Sequence, residues 1–424
     1  MAAGQARQNG FAGRVIISFL SSRKCRAMKP WNINLALFGI LLILLNGSLK
    51  AQTGWTILYP GTDVNLNALQ LLDRHTIFVV GDAGTVIYSD DSGLTWQDIS
   101  PDSPQVNLHD LTFFNYTTGL VVGDGGTILH TVDGGNNWTV SFSGVMDDLL
   151  TVAFWDSIGI CGGLSQTILY SADRGISWNI AQSGFFGGGF RGSWMLSPDI
   201  GLVIGENSIF QPLFGKSINE GQTWDFTPFY LNNNEGRAYS LQFTDLFNGY
   251  AACGVWDGRG AIAKTIDGGS NWSSTFFSAP LYEVHFPISN ASLVGFAVGE
   301  SGQILRTFDA GLSWQNQTSG SFQTLNDVAF FDLATGYIVG DNGTVLKTET
   351  GGEPPVSLSD HPSTTIDEFQ LFGNYPNPFN ASTCISWQSA VGSVVELKIF
   401  NSVGQKVRTL VQQKMTVGYH TVLW

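Results

Sequence analysis

The sequence predicts an all-β protein: a seven-bladed β-propeller whose N-terminal strand closes the last blade, followed by a smaller β unit. Three observations carry this. An eight-residue box, [ST]-x-[DN]-x-G-x-[TSN]-W, occurs six times; a strand ending in a glycine turn occurs seven times; and one tryptophan, Trp55, stands alone ahead of the first copy. Successive box tryptophans lie 40 to 48 residues apart, the period of a four-stranded blade. Composition agrees. Of 424 residues only 13% are charged, 51 are Gly and 29 are Phe, which suits a turn-rich packed sheet protein and excludes a disordered or coiled-coil chain.

Residues 1–51 read as a signal peptide. The run Leu35 to Leu45, LALFGILLILL, follows Lys29 and precedes NGSLKAQ. Eleven apolar residues make a helix of about 16 Å, short of a ~30 Å hydrocarbon core but suited to a signal-peptide h-region. Cleavage is expected after Ala51, with Met28 as a possible true start and a signal anchor as the alternative. The mature chain then has no transmembrane span and is secreted or held at the cell surface. The leader contains seven basic residues and no acids, leaving 13 basic and 34 acidic residues, a formal charge of −21 (13 − 34). That balance argues against a nucleic-acid partner, whose phosphates need clustered Lys and Arg.

The propeller is expected over 52–355. Its boxes place Asp91 before Trp96, Asp133 before Trp138, Asp173 before Trp178, Asn219 before Trp224, Asp267 before Trp272 and Asp309 before Trp314. The third residue can accept hydrogen bonds from its own turn, and the fifth, always Gly, permits positive φ. Each Trp is expected to plug the gap between neighbouring blades. The seventh copy ends TETGGEPP, with Pro355 where its Trp should be, while Trp55 lies 41 residues before Trp96. The N-terminal segment therefore supplies the missing outer strand, and closure removes exposed sheet edges.

Acids follow the strand-end glycine in five copies: Asp82, Asp124, Glu206, Glu300 and Asp341. Tight-turn chemistry explains them, with a cation-binding crown as the alternative. Cys161 and Cys253 precede equivalent glycines and read as small buried hydrophobes. No CxxC or HxxxH occurs, so neither metal nor cofactor is expected.

Irregularities are informative where the repeat is not. Residues 184–194 (GFFGGGFRGSW), 229–237 (FYLNNNEGR) and 256–259 (WDGR) break the pattern around blades three to five. Loops on a rigid scaffold commonly carry binding. Phe185, Phe186, Phe190, Arg191, Trp194, Tyr230 and Trp256 are the candidate platform for a peptide or sugar, against local packing as the plainer reading. A glycosidase needs two carboxylates about 5–9.5 Å apart. Asp199, Glu206, Glu235 and Asp257 are available, but spacing does not pair them, and no catalytic residue is assigned.

The boxes resemble the Asp-box, or BNR, repeats of sialidases, sortilin-type receptors and xyloglucan-cleaving glycosidases. The run G-D-x-G-T-[IV]-L-x-T-x-D-G-G-x-x-W resembles the photosystem II stability and assembly factor family, over about residues 53–355. That resemblance implies a non-catalytic propeller that reads a protein partner with one face.

Residues 356–367 read as a polar, Pro-bearing linker, and 368–424 as a second unit. Strands are expected at 393–401, where Val395, Leu397 and Ile399 alternate, and at 405–411. Asn374, Tyr375, Pro376, Asn377, Pro378, Phe379 and Asn380 resemble the motif of the type A sorting domain of the type IX secretion system, an Ig-like β-sandwich also similar to flagellar hook-capping proteins. Ala381 and Cys384 depart from the usual Pro and Thr, and the family carries further strands, so the unit reads as truncated. The resemblance implies delivery by the type IX secretion machinery. The whole reads as an exported, monomeric, non-catalytic propeller that binds or scaffolds a protein partner. The alternative is a carbohydrate-binding protein or glycoside hydrolase acting on a surface glycan.

Overall fold

The computed structural model describes residues 13–18, 54–182, 184, 187–232, 235–287, 293–353, 370–371, 375–380, 382–389, 393–401, 405–415 and 418–423. The chain divides into two compact units, one of residues 52–355 and one of residues 1–51 with 356–424.

The first unit is seven four-stranded antiparallel sheets. Blade 1 runs Leu66–Leu71, Ile77–Gly81, Val86–Ser89 and Gln97–Asp98 from its innermost strand outward. The innermost strands of blades 2 to 7 are Leu108–Phe113, Leu149–Trp155, Gly189–Met195, Gly236–Phe243, Leu281–His285 and Leu325–Phe330. Second strands such as Ile77–Gly81 and Gly119–Gly123 are buried throughout. Neighbouring blades cover both their faces, so they read as unbroken apolar runs rather than alternating ones.

Blade 7 takes its outer strand, Gly54–Leu58, from the N-terminus, paired antiparallel with Thr344–Gly352. Trp55 is buried among Phe296 and Val298 of blade 6 and Phe330 and Ile338 of blade 7. Trp138 similarly packs against Phe78 and Val80 of blade 1 and Phe113 of blade 2, and Trp272 against Phe214 of blade 4 and Phe243 of blade 5. The tryptophans are therefore wedges, each between its own blade and the one before.

The boxes repeat one hydrogen-bonded cage. In the first, Ser89 Oγ donates to Asp91 Oδ1 (2.9 Å) and accepts from Gly93 N–H (2.8 Å), while Thr95 donates to Asp91 from both its amide (2.9 Å) and its hydroxyl (2.6 Å). Glycine at the fifth position is required twice over. Gly135 has φ +89° and a Cβ there would stand 2.6 Å from Ile99 Cδ1. The fourth position is also left-handed, yet it accepts Ser92, Arg174, Glu220 and Ala310.

Among the described residues of the second unit, Ser382–Ser389 pairs with Gln370–Leu371, Tyr375–Asn380 and Gly418–Leu423, and Ser393–Asn401 pairs with Lys406–Met415 and Gly13–Ser18. Val395, Leu397 and Ile399 are buried with Ile385 and Trp387, so the expected alternation is real. The leader, apart from Gly13–Ser18, and the linker 356–367 lie outside the described residues. So does Asn374. No described helix is long and apolar enough to cross a membrane.

Candidate binding site at the rim where the inner strands begin

Every innermost strand of the propeller carries a β-bulge near its start, after a buried residue. The register slips between Leu66 and Ala68, Leu108 and Asp110, Leu149 and Thr151, Phe190 and Gly192, Ala238 and Ser240, Leu281 and Glu283, and Leu325 and Asp327. A bulge turns a side chain out of the ladder and aims it elsewhere. Here it presents Asn67, His109, Leu150, Arg191, Tyr239, Tyr282 and Asn326 at one mouth of the ring. The turns from second to third strand share this rim, whereas the boxes lie on the opposite one.

The bulge residues meet the acids that follow the strand-end glycines. Asn67 Nδ2 donates to Asp82 (3.0 Å), His109 Nε2 contacts Asp124 (2.5 Å), Arg191 Nε donates to Glu206 (3.1 Å) and Asn326 Nδ2 donates to Asp341 (3.0 Å). Each partner lies 15 residues on. These carboxylates thus serve the rim's own hydrogen bonds, and Asp82, Asp124 and Glu300 also open short 3₁₀ turns. Among the described residues no group of three or more His, Cys, Asp or Glu is arranged to hold a metal ion.

One sector differs. Glu206 is only 4% exposed, yet it is paired with two arginines. Arg191 of blade 4 binds both its oxygens (3.1 and 3.2 Å), and Arg237 of blade 5 brings Nε to 3.4 Å. Arg191 also lies over the Tyr239 ring, which meets Tyr282 edge-on at 4.9 Å. Arg237 covers Phe210 and Trp256, themselves edge-to-face at 4.9 Å and both exposed. A buried carboxylate that grips one planar guanidinium group through both oxygens and draws a second within ion-pair distance, beside exposed aromatic rings, is a surface suited to hydrogen bonding and stacking.

The sequence-based platform is only partly assembled. Arg191 and Trp256 belong to this cluster, and Tyr230 is exposed on the loop entering blade 5. Trp194 is half-buried farther along its strand, against the core shared by blades 4 and 5. Phe190 is corrected: it is 1% exposed, in the core between blades 3 and 4, stacked on Phe226. By sequence the glycine-rich run 184–194 breaks the repeat like a loop, but from Gly189 it is the innermost strand of blade 4, whose alternation sends Phe190 inward. Phe185 and Phe186 lie outside the described residues. Phe210, Tyr239 and Tyr282 were missed. Alignment of the seven copies at the bulge would have put Arg191, Tyr239 and Tyr282 in one column.

The innermost strands enclose a cavity of about 540 Å³, with Asp110, Glu283 and Asp327 in its wall. Asp110 Oδ2 accepts the Val152 amide of blade 3 (2.7 Å) and Asp327 Oδ2 the Leu69 amide of blade 1 (2.7 Å). Burial pushes Asp110 up to about 7 and Asp327 to about 6, and raises Glu283 well above the ordinary carboxylate range. Of the carboxylates named from sequence, Glu206 is held by arginines, Asp257 pairs with Arg259, and Asp199 lies at the opposite rim.

The fold and rim define the chain as a seven-bladed Asp-box propeller. The family model described as photosynthesis system II assembly factor YCF48 matches residues 48–131, which span the closing strand, blade 1 and most of blade 2. Among solved structures the chain is similar to YCF48 bound to a D1 peptide, with 18% identity over 72% of this chain and 99% of that one (TM-score 0.56). It is also similar to YCF48 from Cyanidioschyzon merolae, with 16% identity over 70% and 98% (TM-score 0.56). The WD40 propeller domain of Doa1 shares 14% identity over 70% and 96% (TM-score 0.56). At these identities the likeness is one of fold. No curated protein matches the chain.

Proposed function

We propose that this chain is an exported, non-catalytic propeller that docks an extended segment of a protein partner at the rim bearing Arg191, Arg237 and Trp256. The observation that carries this is Glu206, buried between two guanidinium groups from adjacent innermost strands and flanked by the exposed Phe210–Trp256 pair. The guanidinium N–H groups of Arg191 and Arg237 suit the carbonyl or carboxylate oxygens of a bound segment, while the aromatic rings supply apolar contact at little entropic cost. The likeness to a propeller solved with a bound peptide supports the same mode of binding.

The apolar run Leu35 to Leu45 supports export, and the motif at 374–380 supports delivery by type IX secretion machinery through an Ig-like sorting domain. Removal of the leader would take Gly13–Ser18 with it.

The test is selection of a displayed peptide library on the full chain. Enriched peptides are expected to lose at least about tenfold in affinity with Trp256→Ala or Arg237→Gln, as for a buried interface anchor, and to be indifferent to Leu312→Ala at the opposite rim. Peptides insensitive to the rim variants would overturn the site. Release of reducing ends from a polysaccharide panel would make the protein a hydrolase instead.

A further inference from the structure

Four blades latch to the next through the residue that follows the bulge. Asp110 and Asp327 accept backbone amides of the following blade, Ser240 Oγ accepts the Val284 amide (3.1 Å), and Thr151 meets Ser193 hydroxyl to hydroxyl (2.8 Å). Ser240 shows that an uncharged oxygen suffices for the bond. The carboxylates of Asp110, Glu283 and Asp327 therefore add something the latch does not require: titratable charge in one shared cavity.

The groups facing them leave that charge uncompensated. His109 is engaged by Asp124, and Arg191 by Glu206. His285 lies on the same strand as Glu283, with burial lowering it to about 4, so it is neutral near pH 7. Tyr239 and Tyr282 are raised by burial, as is Cys161, which feels Asp110. Asp110, Glu283 and Asp327 line one cavity, and like charges gathered there repel one another and raise each other's proton affinity.

We propose that these three carboxylates make closure of the ring proton-linked: protonated, they share the cavity and the ring is tight, and as they ionise their repulsion loosens the seams between blades 2 and 3 and between blades 7 and 1. The inference is independent of the docking site. Folding raises the affinity of all three for protons. The stability they contribute is thus complete below the ordinary carboxylate range, near pH 4, and is lost as pH rises through about 6 to 7.

Scanning calorimetry of the full chain from about pH 4.5 to 8 tests this, at one fixed ionic strength so that screening is the same at every pH. The wild-type propeller is expected to lose about 5 °C or more between pH 5 and 8, and Asp327→Asn or Glu283→Gln to remove most of that loss. An undiminished loss in both variants overturns the proposal. Should they fail to fold, infrared spectroscopy of the wild type decides: a protonated-carboxyl band persisting in the folded protein at pH 6 upholds it, and complete ionisation by pH 5 overturns it.

Discussion

The indole N–H of Trp55 donates to Gln317 Oε1 at 3.1 Å, joining residues 262 positions apart. Gln317 in turn donates to the carbonyl of Gly351 (2.9 Å), which also accepts from Arg306 (2.8 Å). The closing strand is thus anchored to blade 6 as well as to its own sheet. Trp55→Ala removes both the wedge and this bond. It should cost about 3–5 kcal/mol, the usual loss for a buried Trp truncation, read as a shifted urea midpoint. A shift below about 1 kcal/mol would mean the strand does not close the ring.

The boxes differ in a way that substitution exposes. In blade 4 Asn219 does the work of Asp: its Oδ1 accepts from Ser217 and from the Thr223 amide, and its Nδ2 donates to the Thr223 hydroxyl. A hydroxyl can reverse its role by turning one O–H bond; an amide must turn over whole to offer its oxygen. Asp91→Asn, facing Thr95, should therefore be nearly neutral at pH 7. Asp133→Asn places NH₂ against the Asn137 NH₂ that now donates to it (2.7 Å), so Asn137 must turn its amide over to restore the bond, and this variant should cost more than Asp91→Asn. Thr95 holds the Asp91 carboxyl down to about 2, so its stabilisation is present above pH 4 and lost as pH falls toward 2. Asp91→Asn should flatten that acid limb in melting curves, and an unchanged limb would remove Asp91 from it.

How much of this was legible follows from which residues carry constraint. The box needs a small left-handed residue, an oxygen acceptor and a wedge at fixed spacing, so six copies stand out and the stranded Trp55 betrays the closure. The rim has no such pattern. Its bulge position holds Asn67, Leu150 and Arg191 in different blades, because a side chain turned out of the ladder at the mouth is not bound to one size or polarity by the packing between blades, and only alignment of the inner strands brings Tyr239 and Tyr282 together. Phe190 misled for the opposite reason: glycines at 187 and 188, both with positive φ, looked like a loop when they only introduce a strand. Gly192 is demanded by packing, since a Cβ there would stand 2.8 Å from the Ser240 Cα.

Cys161 and Cys253 are both free and fully buried in second strands of blades 3 and 5. Burial pushes Cys253 up to about 12 and Cys161 well above the ordinary thiol range. The thiolate is the reactive form, so Cys253, away from the two proton-linked seams, should not be alkylated by iodoacetamide in native protein at pH 8, Cys161 should react far more slowly than in urea, and both should react fully once urea opens the ring. Native labelling at Cys253, read by peptide mass mapping, would contradict this packing.

Glu206 is the hinge between stability and binding at the rim. Its carboxylate is buried, and Arg191 and Arg237 are the charges beside it, 23% and 34% exposed in their side chains. Glu206→Gln would strand two guanidinium groups next to each other and turn an NH₂ toward one of them. Breaking a buried pair from the acid side costs about 3–5 kcal/mol. Arg237→Gln, from the more exposed side, should cost about 1 kcal/mol or less. The asymmetry is the prediction, measured by urea unfolding of both single variants and the double. If Glu206 is what holds the guanidinium groups in place, the double variant should be less destabilised than the sum of the two singles, because removing Arg237 relieves the repulsion that Glu206→Gln creates. Strict additivity would mean that Arg237 keeps its place over Phe210 and Trp256 without the carboxylate.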